Sequence, residues 1–156
     1  MMQQQTQPVA PTSAHNAYSY ASHNVTKTRQ VVMIYDGLIS MVLQARKAIE
    51  EESPEDRFNA LQRACMVVLG LQAALDYERG GEISRMLDDF YFGIDSRLMR
   101  LNREPNLKAL DGIVKEVRMM REAWVEVDQQ SSAAGSESDQ PATPSAEKIS
   151  SICVSA

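Results

Sequence analysis

Acidic side chains form the densest group of potentially reactive residues in the sequence. Five carboxylates surround the Gly80-Gly81 pair, namely Asp76, Glu78, Glu82, Asp88 and Asp89. A calcium-binding loop needs acidic residues at regularly spaced positions of one loop, and this stretch lacks that spacing. Solvent-exposed helix faces and helix-end charges account for the five carboxylates, so we expect no metal site here.

Histidine and cysteine are equally poorly placed for chemistry. His15 and His23, the only two histidines, lie in an N-terminal segment with few aliphatic residues. From there they cannot ligate a di-iron or heme centre inside a helical core. Cys65 has no histidine on the helices to activate it and is interpreted as a small buried hydrophobe. Phosphate loops, Cys-x-x-Cys pairs and nucleophile elbows are absent from the sequence. We therefore expect no cofactor and no enzymatic activity.

Length and composition indicate one ordinary domain. The chain has 156 residues, of which 44% are hydrophobic, and it contains no apolar run of about 18 residues that would insert into a membrane. Its start has neither the basic nor the apolar part of a secretory signal, which favours the cytoplasm. The two cysteines, Cys65 and Cys153, do not suggest a disulfide framework. A net charge of −5 argues against nucleic acid and favours a protein or peptide partner.

Four stretches repeat apolar residues at the spacing of an amphipathic helix. The first runs from about Lys27 to Glu51, and Ser53-Pro54 marks the start of the second with a capping serine and a proline at the first helical position. The third follows Gly80-Gly81, and the fourth covers about 105–128. Short connectors between long helices favour an all-α, antiparallel up-down four-helix bundle.

The glycine pair interrupts the helical pattern at its middle. Each glycine inside a helix costs about 1 kcal/mol relative to alanine, yet apolar residues recur at helical spacing on both sides of Gly80-Gly81. The pattern therefore predicts that the second helix ends here, that the chain reverses, and that the third helix begins at once.

Composition divides the chain into three parts. Residues 1–24 form a flexible N-terminal arm, 25–128 the helical bundle, and 129–156 a disordered C-terminal tail, because both ends lack the apolar residues that ordering requires. Tyr18, Tyr20 and Val25 are exceptions that could form a lid on the bundle, although solvated loop tyrosines are the simpler interpretation. The apolar end of the chain, 149–156, is either an unstructured end or a short docking peptide.

Surface residues remain as the candidates for function. Flexible thioethers suit a groove that accepts a partner helix, although ordinary core filling explains any single methionine equally well. Leu71 widens the apolar stripe of the second helix beyond one face. We therefore expect a partner-binding surface that includes Tyr18, Tyr20, Val25, Met33, Met41, Met66, Leu71, Met86 and Met119.

Several short motifs, in order along the chain, resemble one known family. They are Met33-Ile-Tyr-Asp-Gly37, Ala45 and Ala48-Ile49, then Leu71, Leu75-Asp76, Gly80-Gly81-Glu82-Ile83 and Leu87, and finally Tyr91, Arg97-Leu98, Asn102 and Arg121-Glu-Ala-Trp124. Their order and spacing are similar to those of the flagellar secretion chaperone FliS family, over about 18–124.

The resemblance implies a cytosolic chaperone of flagellum assembly. Members of the family are antiparallel four-helix bundles that bind the C-terminal segment of flagellin, prevent its premature polymerisation and assist its delivery to the type III export apparatus. Export-gate components would be further partners, and the protein would be a monomer or weak homodimer. Tyr18 and Tyr20 match a tyrosine motif that covers the apolar groove. The alternative is a non-catalytic helical-bundle adaptor or self-associating scaffold.

Overall fold

Helices make up almost all of the computed structural model, which describes residues 26–133 and 145–154. The elements are α1 (Lys27–Glu50), α2 (Pro54–Ala73), α3 (Tyr77–Arg103), α4 (Leu107–Ala133) and α5 (Ala146–Val154). Helix α1 packs against α2 and α4, and α2 packs against α3. The predicted all-α four-helix bundle is confirmed. None of the helices in the described ranges is long and apolar enough to cross a bilayer.

Polar contacts fix the antiparallel pairing of α1 and α4. Near one end, the hydroxyl of Thr28 donates to the carboxylate of Asp128 at 2.6 Å, and the Thr26 hydroxyl donates to the same oxygen. These two hydrogen bonds lower the pKa of Asp128. Near the other end, Nε of Arg46 donates to Asp111 at 2.9 Å. The start of α1 therefore lies beside the C-terminal part of α4, and the end of α1 lies beside the N-terminal part of α4.

Helix starts follow the expected capping chemistry with one difference. Thr26 caps α1, because its side-chain oxygen accepts from the backbone N–H of Arg29 at 3.1 Å. Ser53 precedes Pro54 at the start of α2, as predicted. Its hydroxyl, however, donates to the carboxylate of Asp56 at 2.7 Å and caps no backbone N–H.

The reversal between α2 and α3 lies a few residues before the position predicted from the glycine pair. The chain turns at 74–76, and α3 begins at Tyr77 because the Asp76 side chain accepts from the backbone N–H groups of Glu78 and Arg79 at 3.1 and 3.0 Å. Gly81 then interrupts α3 with φ 51° and ψ −120°, a region open almost exclusively to glycine. The glycines therefore kink a helix that has already begun.

A buried serine stabilises this kink. The hydroxyl of Ser84 donates to the backbone oxygen of Asp76 at 2.7 Å, bonding a carbonyl at the cap of α3. A Cβ atom on Gly80 would lie 1.9 Å from the Ser84 oxygen. The absence of a side chain at Gly80 therefore leaves space for the Ser84 hydroxyl, whose hydrogen bond to Asp76 links the start of α3 to the part of the helix after the kink.

A pair of tyrosine hydroxyls lies within the hydrophobic core. The hydroxyls of Tyr35 on α1 and Tyr91 on α3 lie 2.7 Å apart and are buried. Burial raises the pKa of Tyr91 to about 12 and raises the pKa of Tyr35 well above its ordinary value. Cys65 is buried as predicted, and its burial raises the pKa of the thiol to about 12. The thiol therefore stays protonated at neutral pH and is a poor nucleophile.

The C-terminal part of the chain differs from the expected unstructured tail. Helix α4 continues to Ala133, past the predicted boundary at 128, and α5 lies against α3 and α4. The buried side chains of Ile149 and Ile152 join the hydrophobic core. The predicted N-terminal arm, 1–24, lies outside the described residues.

Candidate partner-binding surfaces

Large apolar side chains point into solvent on the outer side of α2 and α3. We call this set the α2–α3 apolar face; it consists of Phe58, Met66 and Leu69 on α2 and of Phe92 and Met99 on α3, all exposed. Phe58 and Leu69 are about three turns apart, Phe92 and Met99 are about two turns apart, and Met66 lies within one turn of Leu69, so each helix carries one stripe. Phe92 and Met66 are the most open, with 66% and 65% of their surfaces accessible.

Two contacts between α2 and α3 show that the two stripes are neighbours. The Gln72 amide donates to Asp88 at 2.6 Å, and the Arg57 guanidinium donates to the backbone oxygen of Asn102 at 3.3 Å. In the antiparallel register that these contacts set, Leu69 lies level with Phe92. By the same register, Phe58 lies within one turn of the level of Met99. The five side chains thus form one surface.

The α2–α3 apolar face is suited to binding an amphipathic helix. Fully burying a large apolar side chain contributes about 1.5–3 kcal/mol, and aromatic residues commonly dominate such interfaces. Methionines can adjust their shape to the partner. Exposed apolar patches of this kind mark interaction sites in otherwise polar surfaces.

A second apolar region lies between α3 and α4. These two helices contact each other far less than the other neighbouring pairs, and α5 packs against both. Farther along, the guanidinium of Arg97 on α3 pairs with the carboxylate of Glu116 on α4 through both of its terminal nitrogens, one contact measuring 2.7 Å. We call the space between α3 and α4 the α3–α4 groove.

Helix α5 fills part of this groove. Ile149 and Ile152 are buried, whereas Glu147 and Ser150 face solvent. Lys148 forms an ion pair with Glu126 on α4, which places α5 beside the C-terminal half of that helix. The short helix therefore uses one apolar side to complete the core.

The structure distributes the predicted binding residues over several places. Tyr18, Tyr20 and Val25 lie outside the described residues. Met66 belongs to the α2–α3 apolar face, and Met33 is exposed on α1. Leu71 is a buried core residue, and Met41 is half-buried against the core.

Two of the predicted methionines line the α3–α4 groove. Met86 precedes Arg97 by about three helical turns and so lies on the side of α3 that faces α4. Met119 precedes Glu126 by about two turns and shares its side of α4. Met86 is half-buried and Met119 is exposed. The predicted residues that the structure describes therefore lie in several places, and only Met66, Met86 and Met119 belong to the two apolar regions.

Sequence reasoning missed four members of the α2–α3 apolar face. Phe58 and Leu69 follow the apolar spacing of α2, a pattern that predicts core positions, but both are exposed. Phe92 and Met99 fall outside the apolar stripe of α3. Large apolar residues on the polar side of a helix were the signal that could have identified these two.

Two further features of the described part of the chain bear on the choice of site. Within 26–133 and 145–154, no three side chains among histidine, cysteine, aspartate and glutamate come together as a metal site would require. A cleft between α1 and α2 is lined by mostly polar residues, including Lys47, Glu51 and Arg63. Such a lining does not suit an apolar helix.

Comparisons with known proteins match one family over most of the chain. The family model described as flagellar protein FliS matches residues 11–131. The flagellar secretion chaperone FliS of Campylobacter jejuni is 30% identical over 115 residues, which cover 73% of this chain and 90% of that protein. The chaperone of the same name from Salmonella typhimurium is 30% identical over 98 residues, covering 62% of this chain and 73% of the relative. Flagellar secretion chaperone FliSB of Pseudomonas aeruginosa is 29% identical over 96 residues, or 62% and 76% of the two chains.

Proposed function

The chain belongs to the flagellar protein FliS family, and on this premise we propose that it is a non-catalytic secretion chaperone for flagellin. In this proposal it binds the C-terminal helical segment of flagellin in the cytoplasm on the α2–α3 apolar face. It keeps that segment from polymerising early and assists its delivery to the type III export apparatus.

The observation that carries the proposal is the exposure of five large apolar side chains on two adjacent helices. A partner segment that is disordered when free can fold against this face, and the burial of apolar surface offsets the conformational entropy that the segment loses. A ligand that occupies the segment lowers the concentration of free, self-associating segment by mass action. Binding alone therefore prevents polymerisation, without any chemical step.

Calorimetric titration of the full chain with a C-terminal flagellin peptide tests the proposal. We expect saturable binding with a negative heat-capacity change, because apolar area is buried. The double variant Met66→Asp/Phe92→Asp should weaken binding by about tenfold or more, since two exposed apolar contacts become charged.

Ser40→Asp provides the matched control, because Ser40 is exposed on α1 and lies outside the α2–α3 apolar face. This variant should bind the peptide as the parent does. Absence of saturation up to about 1 mM peptide, an affinity weaker than about 4 kcal/mol, would contradict the proposed function. Unchanged binding by the double variant would instead place the site elsewhere on the molecule.

The same exposed face also supports a second candidate, a scaffold that self-associates. Two copies could bury their α2–α3 apolar faces against each other in a symmetric dimer. Light scattering distinguishes the two candidates: the chaperone becomes a one-to-one complex when peptide is added. A scaffold stays in an oligomer that the peptide does not dissociate and that Met66→Asp/Phe92→Asp disrupts.

A further inference from the structure

The α3–α4 groove is closed by a segment that is separate from the bundle along the chain. Helix α4 ends at Ala133 and α5 begins at Ala146. The nine residues of α5 place Ile149 and Ile152 among the core residues and leave Glu147 and Ser150 in solvent. One ion pair, from Lys148 to Glu126, adds to this contact, and both of its side chains are about half exposed.

These contacts resemble those of a bound peptide more than those of a bundle helix. A helix of nine residues is too short to be stable alone in water, so α5 depends on the groove for its structure. A half-exposed ion pair contributes about 0–1 kcal/mol at most. The two isoleucines therefore supply most of the attraction, in the way that anchor residues three positions apart hold an amphipathic helix in a groove.

From this arrangement we infer that α5 is a tethered internal ligand that occupies a helix-binding groove in the free protein. The groove takes one kind of helix, with two branched aliphatic side chains three residues apart and a basic residue just before the first. Resting on the proposed function, we assign the external occupant to the same C-terminal flagellin segment, which continues from the α2–α3 apolar face into the groove once α5 leaves.

Met119 supports the presence of a site larger than α5 itself. It is exposed and lies about two turns from Glu126 on the same side of α4. The half-buried Met86 lines the opposite wall on α3. Met119 therefore extends the apolar wall on α4 to about two turns from the contact between α4 and α5.

Tethering makes even a weak internal ligand effective. A short linker gives an effective concentration of about 1 mM, so docking with a dissociation constant of about 0.1–1 mM fills half or more of the grooves. An external helix must then displace α5, and its apparent affinity falls in proportion to the fraction of open grooves. Releasing α5 should tighten partner binding by about two- to tenfold.

The first experiment tests the groove without flagellin. In the full chain, the variant Ile149→Asp/Ile152→Asp should release α5, because burying two carboxylates in an apolar groove is unfavourable. A synthetic peptide of residues 145–154 should then bind this variant, with amide shifts in α3 and α4 that reach at least half of their full size by about 1 mM peptide. The parent should need about two- to tenfold more peptide to show the same shifts, because α5 occupies most of its grooves. Absence of binding to the variant would overturn the inference, whatever flagellin does.

The second experiment tests competition. The variant Ile149→Asp/Ile152→Asp should bind the flagellin peptide about two- to tenfold more tightly than the parent. Ser145→Asp/Ser150→Asp is the matched control, because it adds the same charge to the exposed side of the segment. The control should bind like the parent. Equal affinity for all three chains would show that α5 does not compete.

Hydrogen exchange on the parent keeps the test independent of any folding defect in the variant. Amides of 149–154 should be protected in the free protein and should exchange faster when flagellin peptide is bound. Continued protection in the complex would overturn the competition. If the peptide of 145–154 binds the variant while flagellin peptide binds none of the chains, the groove stands and the proposed function fails.

Discussion

The α2–α3 apolar face and the α3–α4 groove share helix α3 but differ in how the neighbouring helix meets it. Helices α2 and α3 pack directly along their length, so the apolar residues that do not fit between them remain on an exposed surface. Helices α3 and α4 contact each other little and leave a groove that opens onto the core. The α2–α3 apolar face can stay exposed because the core beneath it is already covered. An unfilled α3–α4 groove, in contrast, would expose core side chains to water unless a helix such as α5 occupies it.

This difference teaches that exposure alone does not identify every binding surface. The α2–α3 apolar face is visible because Phe92 and Met66 are accessible. The α3–α4 groove is hidden because Ile149 and Ile152 cover it. The covering segment itself shows what kind of ligand the groove accepts.

High pH should disrupt both regions together, and this is the largest effect we expect. Tyr91 lies on α3, the helix that the two regions share, and burial raises its pKa to about 12. Below about pH 10 the phenol is protonated in the folded and the unfolded chain, so it causes no pH dependence. Between about pH 10 and 12 the unfolded chain loses the proton while the folded chain keeps it, which favours unfolding by about 2 kcal/mol.

Urea denaturation at a series of pH values measures this loss. The free energy of unfolding should fall as pH rises from about 10 to 12, and less steeply in Tyr91→Phe. The buried Tyr35 and Cys65 add to the fall in both chains, because their pKa values are raised as well. Identical slopes in the parent and Tyr91→Phe would contradict the role given to Tyr91.

A substitution at the kink of α3 should also destabilise both regions, because they share this helix. Gly81 has φ 51° and ψ −120°, so Gly81→Ala should destabilise the protein by about 1–3 kcal/mol. Gly70→Ala is the control, since Gly70 is exposed in α2 and nothing lies within 4 Å of an added Cβ. Thermal and urea unfolding should show that the control is more stable than the parent by up to about 1 kcal/mol. A loss of stability in both variants would show that the kink is not the cause.

Removing the Arg97–Glu116 ion pair should destabilise the contact between α3 and α4 and leave peptide binding by the α2–α3 apolar face unchanged. Glu116 is only 11% accessible, so Arg97→Ala leaves a largely buried carboxylate without its bidentate partner. We expect a loss of about 1–2 kcal/mol in the free energy of unfolding, less than for a fully buried pair.

The matched control for that experiment is Arg79→Ala. Arg79 lies 3.9 Å from Asp76, and both side chains are mostly exposed, so its loss should cost about 0.5 kcal/mol or less. Flagellin peptide should still bind Arg97→Ala through the α2–α3 apolar face. If Arg97→Ala and Arg79→Ala lowered the free energy of unfolding equally, the Arg97–Glu116 pair in the groove would contribute no more than an exposed surface pair.

The smallest effect should come from the ion pair that joins α5 to α4. Lys148→Ala removes a half-exposed charge, and we expect a change below about 0.5 kcal/mol in the free energy of unfolding. Affinity for flagellin peptide should change by about twofold or less. If Lys148→Ala matched the effect of Ile149→Asp/Ile152→Asp, charge and not apolar burial would hold α5.

Much of the fold could be predicted because local chemistry decides it. Apolar periodicity predicts the four long helices, and Ser53-Pro54 predicts where the second one starts, although the Ser53 side chain bonds Asp56 and not a backbone N–H. The chain reversal was misplaced because Asp76 ends the turn before the glycine pair is reached. Asp76 can start a helix and Gly80-Gly81 can end one, and both lie within six residues. Their spacing along the chain does not show at which of the two positions the chain reverses.

The sequence by itself determined the helical class and the family resemblance. Only the tertiary structure decided which apolar stripes face the core: Leu71 is buried, whereas Phe58 and Leu69 on the same helix are exposed. Periodicity gives the direction of a side chain around its own helix, but the position of the neighbouring helix decides whether that direction is covered. For the same reason, the docking of α5 through Ile149 and Ile152 depends on a groove formed by residues far away in the chain.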